Sequence, residues 1–133
     1  MIEWNATYSV DIPSIDSQHQ LLVSMIGQLQ EAMLDGRARE VVVPLIAAMN
    51  KYAAFHFGYE EELLAAHGYP DLKRHHEQHA ILVDELGEIE QKYSSGRLNA
   101  GGPLLQFLRS WLVDHICDHD KEFSGFLKSK GVS

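Results

Sequence analysis

The sequence predicts an all-α chain: an antiparallel up-down-up-down four-helix bundle entered by an extended N-terminal arm. Three observations carry that expectation. Apolar residues recur at three- and four-residue spacing over stretches too long for strands. Glycine and proline clusters separate those stretches. The connections between them are short, which favours antiparallel neighbours. At 133 residues the chain is long enough to bury its own core, and residues 1–133 are read as a single domain.

Residues 1–14 read as the arm, which ends near Pro13 and Ser14. A first helix, about 16–35, places Leu22, Met25, Ile26, Leu29 and Met33 on one stripe, and Gly36 stops it. The second, about 38–66, carries Leu45, Ile46, Met49, Tyr52, Ala53, His56 and Glu60 on or near one face. Pro44 is awkward there, because past the first turn it should cost a hydrogen bond or bend the helix entry. His67-Gly68-Tyr69-Pro70 turns the chain into a third helix, about 71–93, closed by Ser94-Ser95-Gly96. Gly101-Gly102-Pro103 opens a fourth, about 103–117, with Pro103 suited to its first position. Leu104, Leu105, Leu108, Trp111, Leu112 and Ile116 form its apolar face, and a short helix, about 119–129, ends the chain.

The net charge of −8 argues against nucleic acid or anionic lipid as partners. No apolar run approaches the ~20 residues that span a bilayer, and the start shows no export signal. The single cysteine, Cys117, is expected to be a small buried apolar residue in a reducing, cytoplasmic setting. A monomer is expected.

Five histidines and two carboxylates stand out against this background: His19, His56 with Glu60, His75 with His79, and His115 with Asp120. Residues four apart on a helix differ by only ~40° and lie ~5–6 Å apart at Cβ, so each middle pair can reach one ion. Each pair is weak evidence alone; the weight comes from one contribution per helix. His115 and Asp120 break the pattern, because five helical steps leave them ~140° apart. Either the fourth helix ends or bends near Cys117-Asp118, or Asp120 is outside the set. His119, four from His115, fits spacing slightly better, whereas the need for a second bridging carboxylate favours Asp120.

Imidazoles with carboxylates suit iron, manganese or zinc, and seven donors exceed what one tetrahedral ion uses. Two octahedral ions, bridged by Glu60, Asp120 and one solvent-derived oxygen, would need six terminal donors. Five histidines leave one position open for a small ligand. Carboxylate-rich di-iron sites stabilise the oxidised states reached after O–O cleavage; five neutral imidazoles favour reduced iron that takes up dioxygen intact.

Several segments strengthen the reading: Trp4-Asn5, the run from Ser9-Val10 to Ile15-Asp16-Ser17-Gln18-His19, and His56-Phe57-Gly58-Tyr59-Glu60-Glu61. With them stand Gly68-Tyr69-Pro70, His75 through His79, and Trp111-Leu112-Val113-Asp114-His115-Ile116 followed by Asp120. Over about residues 3 to 128 the chain resembles the hemerythrins, in particular the single-domain bacteriohemerythrins. That resemblance implies two non-haem irons with an oxo or hydroxo bridge and a carboxylate ligand five residues after the last histidine. It gives His75, His79 and His115 to one iron, and His19 and His56 to a five-coordinate iron that binds dioxygen end-on. It also implies an apolar oxygen pocket walled by Trp111, Leu112 and Leu22. Phe123 departs mildly from the tyrosine that similar chains often carry there.

The implied function is reversible dioxygen binding for storage, delivery to an oxygen-requiring enzyme, or sensing, with at most residual peroxidase-type activity. The rival is a di-iron enzyme acting on peroxide or nitric oxide, with Tyr59 or Tyr8 as the nearest acids. His67, His76 and His119 are expected to stay off the metal, with His119 facing solvent. Glu61 and Glu62 read as a solvated acidic face. The run His76-Glu77-Gln78-His79 is one residue short of a zinc-protease motif, which rejects that class.

Overall fold

The computed structural model describes residues 2–95 and 102–132, the side chains of Ile116, Cys117 and Asp118 excepted. The expected stop at Gly96, the connection up to Gly101, and the expected burial of Ile116 and Cys117 therefore lie outside the described residues. Helices run over Pro13–Leu34 (α1), Ala38–Ala66 (α2), Leu72–Ser94 (α3), Gly102–Asp114 (α4) and Lys121–Ser129 (α5). A π-helical segment, His115–Asp120, joins α4 to α5. There is no strand among the described residues. Helix α1 packs against α2 and α4, and α2 against α3. The Trp111 indole N–H donates to the Leu82 carbonyl at 3.0 Å, tying α4 to α3. The architecture is the expected antiparallel four-helix bundle.

Two boundaries differ from expectation, each for a local reason, while α2 keeps its expected bounds. Helix α1 starts at Pro13 rather than Asp16, because proline lacks the N–H that a first turn leaves unpaired anyway. Helix α2 runs unbroken through Pro44, whose ring faces solvent. The last helices are continuous: instead of a stop and restart near Cys117, the helix widens into a π turn.

The arm is held rather than loose. Asn5 caps a 3-10 turn at Ala6–Tyr8. Asp16 accepts from the Val10 amide at 2.9 Å and from the Ser9 hydroxyl at 2.6 Å. Gln30 accepts from the Ile2 amide at 2.8 Å. Lys121 donates to the Thr7 carbonyl, and Lys128 reaches Asp11, a non-glycine residue at φ 59°.

Buried side chains form two apolar clusters. The larger includes Leu22, Ile26, Leu29, Ile46, Met49, Phe57, Leu82, Leu86, Leu108, Trp111 and Leu112. The smaller gathers Val10, Ile12, Ile15, Leu64, Phe123 and Leu127. Helices α1 and α2, and the continuous run from α4 through α5, each cross from one cluster to the other through a polar step. On α1 the order is Ile15, His19, Leu22; on α2 it is Phe57, Glu60, Leu64. The last helices give Leu112, His115, Asp120, Phe123. By length and composition α2 could cross a membrane, but its apolar residues Leu45, Ile46, Met49, Ala53 and Phe57 are buried in this core.

Candidate metal centre

The seven sequence-predicted donors form the polar layer between the two clusters. His19, His56, Glu60, His75, His79, His115 and Asp120 are all buried, none more than 2% exposed. Burying that many ionisable groups is costly unless each is compensated. Their neighbours hardly compensate them. Nε2 of His56 lies 3.0 Å from Nε2 of His19 and 3.0 Å from Nε2 of His115. Three nitrogens that all point at one another cannot all donate.

The carboxylates show the same convergence. Glu60 Oε1 contacts His56 and lies 3.2 Å from His115 Nε2, while Oε2 faces His75 at 3.5 Å and His79 at 3.9 Å. Asp120 Oδ2 lies 2.7 Å from His19 and 3.1 Å from His115, while Oδ1 faces His75 at 3.5 Å. Each carboxylate therefore turns one oxygen to each group of histidines. None of the four oxygens makes a hydrogen bond, nor do Nε2 of His75 and His79. Carboxylate oxygens and imidazole nitrogens crowded together in a buried layer, yet not hydrogen-bonded, are what a cation would satisfy.

Two overlapping donor groups result: His19, His56, Glu60, His115 and Asp120, and Glu60, His75, His79 and Asp120. The two carboxylates are common to both. His115 falls with His19 and His56, whereas the resemblance pairs it with His75 and His79. Its ring centre is 5.1 Å from that of His56, 5.3 Å from His19 and 5.4 Å from His79, so it stands between the groups. Under either assignment one group has three histidines and the other two.

The π segment explains why Asp120 belongs. Its hydrogen bonds close over five residues instead of four, so residues five apart share a face. His119 is left to one side. It is half-buried rather than solvent-facing, with its Nδ1 enclosed, and its ring centre is 6.3 Å from that of His115.

Charge follows from these contacts. Burial alone would keep His115 neutral, but Asp120 and Glu60 hold its pKa up at about 10. Burial opposes charge on His75 too, and the same two carboxylates carry it to about 9. At His79 burial wins, lowering it to about 4. Burial and mutual repulsion would raise Glu60, yet His56 and His115 hold it below the usual carboxylate range; burial likewise opposes charge on Asp120, which His115 and its neighbours also hold low.

A family model for the hemerythrin HHE cation binding domain matches residues 10–127. The chain belongs to the hemerythrin family. It is similar to the bacteriohemerythrin of Methylococcus capsulatus, with 27% identity over 130 residues, 97% of this chain and 98% of that one. A bacteriohemerythrin of Clostridium acetobutylicum is 25% identical, covering 92% of this chain and 98% of the relative. A crystal structure of wild-type hemerythrin superposes with a TM-score of 0.85 at 26% identity, covering 96% of this chain and 98% of that one. Membership in the hemerythrin family fits a buried His/Glu/Asp cluster able to hold a metal.

Three residues around this hemerythrin-family site escaped sequence reasoning. Gln18 Oε1 meets His56 Nδ1 at 2.5 Å. Glu61, read as part of a solvated face, instead contacts His76 and lies 3.2 Å from His79 Nδ1. Phe57 stacks on His79 with ring centres 4.1 Å apart and planes 13° from parallel. No spacing rule signals contacts that cross from one helix to another. Of the tyrosines suggested as acids, Tyr59 donates its hydroxyl to Ser14, and the ring of Tyr8 packs edge-on against Trp4.

Proposed function

We propose that the chain binds dioxygen reversibly at a pair of non-haem iron ions with an oxo or hydroxo bridge. The observation that carries the reading is the carboxylate arrangement: Glu60 and Asp120 each present one oxygen to each histidine group. Bridging ligands are placed in this way, and a single ion has no use for seven donors. His19, His56, His75, His79 and His115 would be the terminal ligands, and following the family His75, His79 and His115 would serve one iron. Held there, an iron pair would supply two electrons to dioxygen.

The chain's own residues do the rest. Five neutral imidazoles keep the total ligand charge low, which favours the reduced ions. Trp111, Leu112 and Leu22 lie within a turn of His115 or His19 and are buried; they wall the open position and exclude water and competing anions. The Trp111 hydrogen bond to Leu82 fixes that wall. The Tyr59 hydroxyl is engaged with Ser14, and the reading we adopt is a carrier rather than an enzyme. Storage, delivery to an oxygen-requiring enzyme or sensing, by a cytoplasmic monomer, is the role we assign.

The test is spectroscopic. Protein loaded with iron and reduced without air should be colourless, take on colour when aerated, and bleach again under argon over repeated cycles. Irreversible oxidation in the first cycle would overturn the carrier reading. Turnover of peroxide or nitric oxide far above that of free iron would replace it with the enzyme.

A further inference from the structure

The outer nitrogens of the histidine ligands are not treated alike. Nδ1 of His19 and of His115 has no hydrogen-bond partner. Nδ1 of His56 meets the neutral amide of Gln18 at 2.5 Å, and Nδ1 of His79 lies 3.2 Å from the carboxylate of Glu61. We propose that Glu61 is a positioning residue for the centre: it holds His79 through Nδ1–H, and its contrast with Gln18 makes the two halves of the centre electronically unequal. The proposal rests on the metal-centre reading above.

The geometry of His79 is over-determined from its outer side. An imidazole turns easily about its second side-chain torsion, so something must fix the ring. Phe57, stacked at 4.1 Å, sets the plane. Glu61 sets the tautomer: an ionised carboxylate only accepts, so Nδ1 carries the proton and Nε2 keeps its lone pair. That Nε2 is buried without a hydrogen-bond partner and lies 3.9 Å from Glu60 Oε2, on the inner side of the layer.

Glu61 is itself anchored. Its other oxygen contacts His76, one turn before His79 on α3. Exposure falls along the chain of three, from 67% at the His76 side chain to 23% at Glu61 and 3% at His79. A solvated surface glutamate has no reason to place one oxygen on a buried ring. A carboxylate behind an imidazole also makes it a stronger donor than an amide does. The ion served by His79 is thereby the better stabilised in a higher charge state, and the one served by His56 the less.

Zinc, which is diamagnetic and does not bind dioxygen, separates this proposal from the functional reading. The zinc-loaded full chain should show protected Nδ1–H protons of His56 and His79 in its NMR spectrum. Glu61→Ala should leave the His79 Nδ1–H proton unprotected, so that its signal is lost to solvent exchange, and weaken zinc binding, measured by chelator competition, roughly ten- to a hundred-fold. Glu61→Gln should keep the proton but shift it upfield, with a smaller loss. Gln18→Glu should shift the His56 proton downfield. Glu62→Gln, which removes the same charge one residue along, should match wild type. A role confined to structure would lower the melting temperature of Glu61→Gln and leave the proton where it was. The proposal is overturned if Glu61→Ala keeps the proton protected and wild-type zinc affinity, if Glu62→Gln reproduces Glu61→Gln, or if the chain binds no zinc. A chain that passes these tests yet never cycles with dioxygen refutes the carrier reading alone.

Discussion

His115 Nε2 lies 3.1 Å from Asp120 Oδ2, although the two residues are five apart on one continuous helix. An α-helix would separate them by ~140°; the π turn between them brings both onto the inner face. A π turn is in effect one residue inserted into an α-helix. Deleting residue 117 should therefore restore α-helical geometry with the pair four apart and still facing together. That variant is expected to keep its metal. Inserting one alanine after Asp118 places the carboxylate six residues on, rotated ~240° from His115, and is expected to lose it. Metal per chain by elemental analysis decides, and equal content in the two variants would contradict the argument.

The shared carboxylates predict a collective loss. Glu60→Ala or Asp120→Ala should bring iron well below two per chain, because each removes a donor common to both groups. Stability should fall by about 3–5 kcal/mol, the range for breaking a buried charged network. His119→Ala should retain two irons, since His119 is outside both donor groups. The reverse outcome, iron lost from His119→Ala and kept by Asp120→Ala, would displace Asp120 from the site.

Removing metal should make the fold sensitive to alkali. Against burial, Asp120 and Glu60 hold His115 at about 10 and His75 at about 9, both above the ordinary histidine value of 6.5. A raised folded pKa contributes stability that is complete below the unfolded value and is lost as pH climbs through the folded one. The chelated protein should accordingly melt at progressively lower temperature from pH 6.5 to 10. The loaded protein, whose ligands have already given up their protons, should not. Glu60 and Asp120 have the opposite sign: their depressed pKa values contribute stability that is complete above the usual carboxylate range and is lost as pH falls below it through the folded values. Melting temperatures across pH, with and without chelator, test both limbs.

Pro44 offers a change that should raise stability without touching the site. It lies inside α2, with its ring exposed, and its missing N–H leaves the carbonyl one turn earlier unpaired by the helix. Pro44→Ala is expected to raise the unfolding free energy by about 1–3 kcal/mol at unchanged metal content. A lower melting temperature would show that the proline's restraint on the unfolded chain outweighs the bond it forfeits.

The bundle and the clustering of His19, His56, Glu60, His75, His79 and His115 at its centre were legible because both are written in local periodicity. Leu22 three after His19, or Glu60 four after His56, follows from the pitch of one helix. Asp120 was legible only through chemistry: spacing favoured His119, and nothing in the sequence announced that the helix would widen at His115. Glu61 was invisible for a different reason. Its partners His76 and His79 lie on the next helix, and the angle at which α2 meets α3 is set by packing across the whole core. The start of α1 is not legible in the same way, because a proline serves equally to end an extended arm or to open a helix, as Pro13 does.

Leu112 tests the apolar wall directly. It is 1% exposed and stands one turn before His115, so truncation leaves a cavity beside the donors rather than at the surface. Leu112→Ala should cost about 2–5 kcal/mol, as deletions of buried leucine do. Metal content should stay at two, because no donor is removed. If Leu112 excludes water, the oxygen-loaded protein should lose its colour irreversibly several times faster than wild type, and added azide should bind faster. Leu45→Ala, in the same large cluster on α2, is the control for destabilisation alone: it should lower the melting temperature while leaving the decay rate near wild type. Equal acceleration in both variants would mean that loosening the bundle, and not opening the wall, governs the decay.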